Sequence, residues 1–211
     1  MSWSLGEIGA LALKATRGAG FSWGVAEEAA AAVIWLEQHA LPGAAALCSY
    51  LSWHCRQPAR TQSGTGTVAD AGGACPLTTG IAIIDGIIEM PSTIGEGVEL
   101  GRVRTPLLLL PFTAPLRIGD AAHLILEGVQ MPLEKPALDS WQTHLLIGSA
   151  ECRVHVGQRP QITNDDSTGT RLPDHYACCV DQLAAFAHKT YAPATSASRL
   201  GGAGAGLNDN D

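Results

Sequence analysis

The chain has 211 residues, and 46% of them are hydrophobic, enough for a sizeable core, which excludes global disorder. The formal net charge of −7 offers no basic footprint, so no nucleic-acid partner is expected. Aromatic residues make up only 5%, while Ala and Gly are abundant, so the core is expected to be built from small aliphatic side chains.

The opening stretch, "MSWSLGEIGALALKATRG", has no basic segment before its apolar run and no small-residue cleavage site, unlike a signal peptide. "TPLLLLPF" is the most hydrophobic run, yet it is far too short to cross a bilayer core of about 30 Å as a helix. A cytoplasmic protein with no membrane partner is therefore expected. Its six cysteines, Cys48, Cys55, Cys75, Cys152, Cys178 and Cys179, are then expected as thiols rather than as a disulfide framework.

Residues 1–57 have helical signatures. Ser4 followed by Glu7 is the reciprocal pairing of a capping box. Ile8, Leu11, Ala12 and Ala15 then share one face, and Gly18 is a suitable stop. A second helix is predicted from near Ser22, with Glu27 and Glu28 early and an apolar stripe of Val25, Ala29, Ala32, Val33 and Leu36. "LPG" at 41–43 breaks it, and "AAALCSYLSWHC" makes a third, shorter helix. The many alanines predict closely packed helices. Residues 58–76, "PARTQSGTGTVADAGGACP", have no hydrophobic period and read as a linker or long mobile loop.

Residues 77–157 read as β structure. "GIAIIDGIIEM", "RVRTPLLLLPF", "AHLILEGVQM" and "WQTHLLIGSAECRVHVG" are four apolar runs parted by Gly, Pro and charged segments. The intervals leave little room for crossover helices, so antiparallel pairing is predicted. "PLTTGIAIIDGIIEMP" and "PLRIGDAAHLILEGVQMP" share a loose pattern that would suit two related β units, or coincidence. After a loop at 161–173, Asp174 can cap a helix from near His175 to about Thr190, with Tyr176, Val180, Leu183 and Ala187 on its buried face. The expected fold class is α+β: an N-terminal three-helix unit (1–57), a linker (58–76), and a mainly antiparallel β-sheet region with a C-terminal helix and a Gly-rich terminal segment (77–211).

The candidate sites are dispersed. His54 beside Cys55 suggests an activated thiolate, but adjacency in sequence does not aim one side chain at the other. Cys48 and Cys55, and the Cys178–Cys179 pair, match no usual zinc spacing, and no metal is assigned. His123, His144 and His155 would suit a metal or an acid–base site if they met on one sheet face, although His144 and His155 differ by an odd number. Cys152 and His155 fall on opposite faces of a regular strand for the same reason. Asp85, Glu89 and Glu127 lie in or beside apolar runs, and Asp85–Gly86 suits a hairpin turn. Arg102, Arg104 and Arg117 suit either an anionic ligand or surface ion pairs.

The closing "YAPATSASRLGGAGAGLNDND" has permissive backbone that can wrap an anion with its N–H groups, yet it matches no phosphate-loop spacing. Ser198 and Arg199, with Gly202 and Gly204, are the ligand-binding candidates there.

The first 47 residues and "TYAPATSASRLGGAGAGLNDND" together resemble a family of uncharacterised proteobacterial proteins, a domain of unknown function, which implies that both ends belong to the folded unit. The order helix, Gly-rich turn, Ala-rich helix, "LPG" and helix is also similar to the opening of the malate/L-lactate dehydrogenase family. That family's Ser-His-Gly motif has no counterpart in "PGAAALCSYL", so the similarity implies only three packed helices.

Two functions are expected in parallel. One is a non-catalytic binding or assembly protein, a homo-oligomer whose terminal segments embrace a neighbouring subunit. The other is a small-molecule enzyme, or a diverged relative of one, with its pocket between helices and sheet. In that reading His144 and His123 transfer protons, Cys152 is a candidate nucleophile, and Arg199 receives a small anionic ligand. No cofactor is assigned.

Overall fold

The computed structural model describes residues 3–57, 73–90, 93, 95–114, 122–126, 129–132, 148–156 and 176–191. Helix α1 (Leu5–Gly18) begins as its sequence predicts. The Ser4 hydroxyl accepts the Glu7 N–H at 3.2 Å, while the Glu7 carboxylate accepts the Ser4 N–H at 2.8 Å. The helix ends where the Phe21 N–H reaches the Thr16 carbonyl (3.3 Å) and the Gly20 N–H reaches that of Arg17 (2.9 Å). The left-handed residue of this cap is Gly20, φ 100, rather than Gly18. Gly18 is small for another reason, since a Cβ there would enter the van der Waals shell of the Phe186 carbonyl.

Ser22 caps α2 (Trp23–Gln38) by accepting the Val25 N–H at 3.4 Å. At its end the Leu41 N–H bonds the Leu36 carbonyl (2.8 Å) and the Ala40 N–H bonds that of Glu37 (3.1 Å). Ala40 takes the left-handed position at φ 56, and Leu36 and Leu41 are both fully buried beside the cap. Helix α3 (Gly43–His54) follows at once, but Pro42 has no side chain able to cap it. Glu37 performs that role from the preceding helix, its Oε1 accepting the Ala44 N–H at 2.9 Å. The end of one helix and the start of the next therefore share a single carboxylate.

Small residues let these helices approach one another. Ala12, Ala15, Ala26, Ala29, Ala30, Ala32, Ala44, Ala45 and Ala46 are all buried. A final helix, α6 (Tyr176–His188), packs on α1 and α3 through Val180, Leu183 and Ala187, three of the four positions predicted from its period. The side chain of the fourth, Tyr176, and its predicted cap Asp174 lie outside the described residues.

The β prediction needs correction at two of its four runs. "PLTTGIAII" is helix α4 (Pro76–Ile84), with Pro at its first turn and the Cys75 sulfur accepting the Thr78 N–H at 3.5 Å. A short helix buried on most sides reads as a continuous apolar run, which periodicity cannot separate from a buried strand. Asp85 and Gly86 accordingly end this helix instead of turning a hairpin, Gly86 at φ 71. "PLLLLPFT" likewise coils, as a 3₁₀ turn (Pro106–Leu109) running into α5 (Leu110–Thr113), with all eight residues buried. The two segments compared as a repeat thus differ in kind, one a helix and the other a hairpin.

The remaining runs form a four-stranded, wholly antiparallel sheet of order β1 (Gly97–Arg104), β4 (Ser149–Val156), β2 (Ala122–Leu126), β3 (Val129–Pro132). β4 alternates cleanly: Ala150, Cys152, Val154 and Val156 are buried, while Glu151 and Arg153 are exposed. The pairing of β1 shifts between Glu99 and Gly101, where Gly101 has φ 68. Cross-strand ion pairs Arg102–Glu151 (3.1 Å) and Arg153–Glu99 (3.2 Å) line the exposed face. On its other edge β1 meets Ala74, which bonds the Arg102 carbonyl (2.7 Å) and the Arg104 N–H (3.0 Å). The end of the predicted linker is therefore laid along the sheet, while residues 58–72 lie outside the described ones. Val103, Leu124, Ala150, Cys152 and Val154 join the helices in one core, giving the α+β architecture. No helix among the described residues is long and apolar enough to cross a membrane.

Two measurements check this packing. Gly18→Ala should lower unfolding free energy by about 1–3 kcal/mol through overpacking against the α6 backbone. Gly6→Ala, where a Cβ meets nothing within 4 Å, should instead raise it by up to about 1 kcal/mol. Denaturant unfolding that ranked the two variants alike would contradict the α1–α6 contact. Burial raises the Glu37 carboxyl from an ordinary 4.5 to about 7, outweighing the Ala44 and Gly43 N–H groups that favour its charged form. The folded chain thus binds a proton more tightly than the unfolded one. Its contribution to stability is complete below about 4.5 and is lost as pH rises through about 7. Glu37→Gln keeps the acceptor for Ala44 and should flatten the pH profile of urea midpoints across that window.

Candidate functional site

The helical and β layers meet at the end of α3. Tyr50 is fully buried, and burial with the Cys75 thiol beside it pushes its hydroxyl well above the usual tyrosine range. One turn later, His54 packs its ring 4.5 Å from Phe21 and 5.9 Å from Tyr50. Burial lowers its pKa below the ordinary 6.5, so the ring is neutral at neutral pH. Cys55 is exposed while His54 is held among aromatic rings, so the neighbours in sequence do not form an activated thiolate pair. From the sheet, the Arg104 guanidinium lies 5.0 Å from the Trp53 ring centroid.

Thr105 stands beside this cation and carries an unusual backbone. It has φ 44 and ψ 64, the left-handed region, where a β-branched residue is strained. Pro106 follows and disfavours the right-handed helical region at Thr105, but that steric effect alone favours extended backbone and does not account for the left-handed conformation. Thr105 is 3% exposed, its N–H donates to the Gly148 carbonyl at 3.0 Å, and its buried hydroxyl has no hydrogen-bond partner among the described residues. Thr113, equally buried, bonds the Leu109 and Leu110 carbonyls at 3.2 and 3.1 Å. An unpaired buried hydroxyl on strained backbone is a feature that binding sites often hold. The sequence carried one sign of it, the Thr-Pro step between a strand and an apolar run.

A second cluster joins α3 to α6. The buried Cys48 thiol donates to Gln182 Oε1 at 2.8 Å, and Gln182 Nε2 lies 4.0 Å from the Cys178 sulfur. Cys179 sits beside Cys48, each perturbing the other. The adjacent cysteines 178 and 179 gave a sign of this grouping, but Cys48 lies far away in the chain and only the fold brings it there.

Of the residues singled out from sequence, the strand register pairs His123 with His155, with the His123 side chain outside the described residues. Cys152 is on the inner face, 1% exposed, its thiol directed at the Ala150 carbonyl at 3.4 Å. Cys152 and His155 do occupy opposite faces. A nucleophile at Cys152 would have to act from within the core. His144, Arg117, Ser198, Arg199, Gly202 and Gly204 lie outside the described residues. Arg102 is one half of a surface ion pair. Among the described residues, no group of three or more His, Cys, Asp or Glu side chains is arranged to hold a metal ion.

Residues 3–82 match the model of a family described as "Protein of unknown function (DUF3726)". The match takes in α1, α2, α3 and most of α4, and supports the resemblance of the N-terminal helices to an uncharacterised domain family. No curated protein and no solved structure matches the chain. The similarity of the same helices to malate/L-lactate dehydrogenases gains no support from the family match.

Proposed function

We propose that this chain is a cytoplasmic, non-catalytic binding or assembly protein that associates with copies of itself. The observation that carries the reading is the apolar turn closing α4. Ile84 is 45% exposed and Ile87 is 75% exposed, flanking Asp85 and Gly86 in a few residues of chain. Single exposed apolar residues are ordinary, but branched aliphatics grouped in one turn favour a contact surface. Covering them returns about 25 cal/mol for each Å² of apolar surface removed from water. The cytoplasmic reading is supported by the six cysteines, none of which is in a disulfide. The carboxy-terminal segment, with Ser198, Arg199, Gly202 and Gly204, is the proposed place for a small anionic ligand or a neighbouring subunit.

Light scattering on the full chain should give a mass that is a multiple of the 21.9 kDa protomer. Replacing Ile84 and Ile87 together by Ser should bring it down to the protomer, and removing residues 192–211 tests the tail's share. A full chain that stays monomeric at every concentration, or a double variant with unchanged mass, would sink the self-association reading.

The Thr105 hydroxyl favours a second reading, a ligand pocket between helices and sheet as in a small-molecule enzyme. Thr105→Val removes a hydroxyl that makes no bond among the described residues, so the variant should be at least as stable as the original chain. Thermal-shift measurements with small carboxylates, amines and nucleotides should then find a compound that raises the melting temperature of the original chain but not of the variant. A compound that stabilised both equally would remove Thr105 from the site.

A further inference from the structure

Three thiols from two helices that are far apart in sequence meet where α3 packs on α6. Cys48 is 2% exposed and fixed by its bond to Gln182; Cys179, half-buried, lies three residues before Gln182 on the same side of α6 and packs against the core that contains Cys48. Cys178, one residue earlier on α6, is exposed, and its sulfur lies 4.0 Å from the Nε2 of the same Gln182 whose Oε1 accepts from Cys48. Burial pushes the Cys48 thiol up to about 11, and burial likewise raises that of Cys179. Both therefore keep their protons at neutral pH, which makes the pair slow to react.

We propose that Cys48 and Cys179 are a redox-reversible pair, closed into an α3–α6 disulfide by exchange with a low-molecular-weight disulfide. The more accessible Cys179 gives its proton to water, and its thiolate attacks one sulfur of the small disulfide, RSSR. That S–S bond breaks, and the departing RS⁻ takes up a proton to become RSH. Cys48, deprotonated in turn, attacks the Cys179 sulfur of the mixed disulfide and expels the second RS⁻. Two electrons and two protons leave the protein, which gains one S–S bond, while RSSR becomes two RSH. Attack at Cys178 leads elsewhere, because residues one position apart on a helix point in different directions and Cys178 faces solvent. The bond ties α6 to the N-terminal helices across a long span of chain, so the oxidised form should resist unfolding more than the reduced one. This inference does not depend on self-association.

The test uses the full chain with oxidised glutathione, followed by blocking of remaining thiols and peptide mapping without reductant. Exposed Cys55 reports that the reagent works, by taking up glutathione. The expected result is a Cys48–Cys179 linkage, a higher melting temperature, and reversal of both by dithiothreitol. Cys178→Ser should leave the linkage intact. Cys48→Ser should stop at a glutathione adduct on Cys179, with Cys48→Ala and circular dichroism as a check that the fold persists. A Cys48–Cys178 linkage, a lasting adduct on Cys179 in the original chain, or glutathione on Cys55 with neither Cys48 nor Cys179 oxidised would overturn the assignment.

Discussion

Close approach between helix backbones is the constraint on which the rest of the molecule depends. Gly9 lies against Ile34, Gly18 against the Phe186 backbone, and Gly43 against the Val33 carbonyl, with buried alanines filling the same faces. Dispersion contacts are weak singly and numerous only when atoms are near one another, so a core of small side chains needs short distances between helices. The consequence reaches beyond packing. With α2 and α3 this near, Glu37 can cap a helix that is not its own. With α3 and α6 this near, Cys48 meets Gln182 and Cys179.

The sheet is held to this helical layer by a different principle, the alternation of its faces. β4 sends Cys152 and Val154 inward and Glu151 and Arg153 outward, and the outward residues pair with Arg102 and Glu99 of β1. Those exposed pairs contribute little stability, roughly 0–1 kcal/mol each, but they mark the solvated face and thereby the register. The transition from sheet to helix falls at Thr105, where a strand must turn into a buried 3₁₀ segment before a proline. Strain and a hydroxyl with no hydrogen-bond partner among the described residues gather at that one residue. Arg104, its neighbour in the chain, sets a guanidinium 5.0 Å from the Trp53 ring centroid on the α3 side of the junction.

Local signals explain why the N-terminal part was so legible. Ser4 with Glu7 and Ser22 act within three residues of themselves, and both caps form as their spacing implies. The alternation of β4 and the buried stripe Val180, Leu183, Ala187 of α6 were equally readable, because period reports which face is covered. Gly18 shows the limit of local reading. A glycine near a helix end suggests a stop, yet Gly20 takes the left-handed position and Gly18 is small because α6 crosses there. "GIAII" and "PLLLL" show another, since a continuous apolar run carries no period to distinguish helix from strand.

The candidate chemistry divides along the same line. The opposite faces of Cys152 and His155 followed from a parity that any regular strand obeys, and the absence of a zinc-ligand spacing was visible in the cysteine intervals alone. By itself the sequence determined the N-terminal caps of α1 and α2 and the faces of the amphipathic elements, set by neighbours within a few positions, while composition determined the small-residue core and the acidic balance. Tertiary structure alone decided that α4 is a helix, that His123 stands opposite His155, that Cys48 meets Cys179, and that Thr105 is buried without a bond for its hydroxyl among the described residues. Each of these depends on which distant segment covers the residue, and covering is a property of the packed chain rather than of any stretch within it.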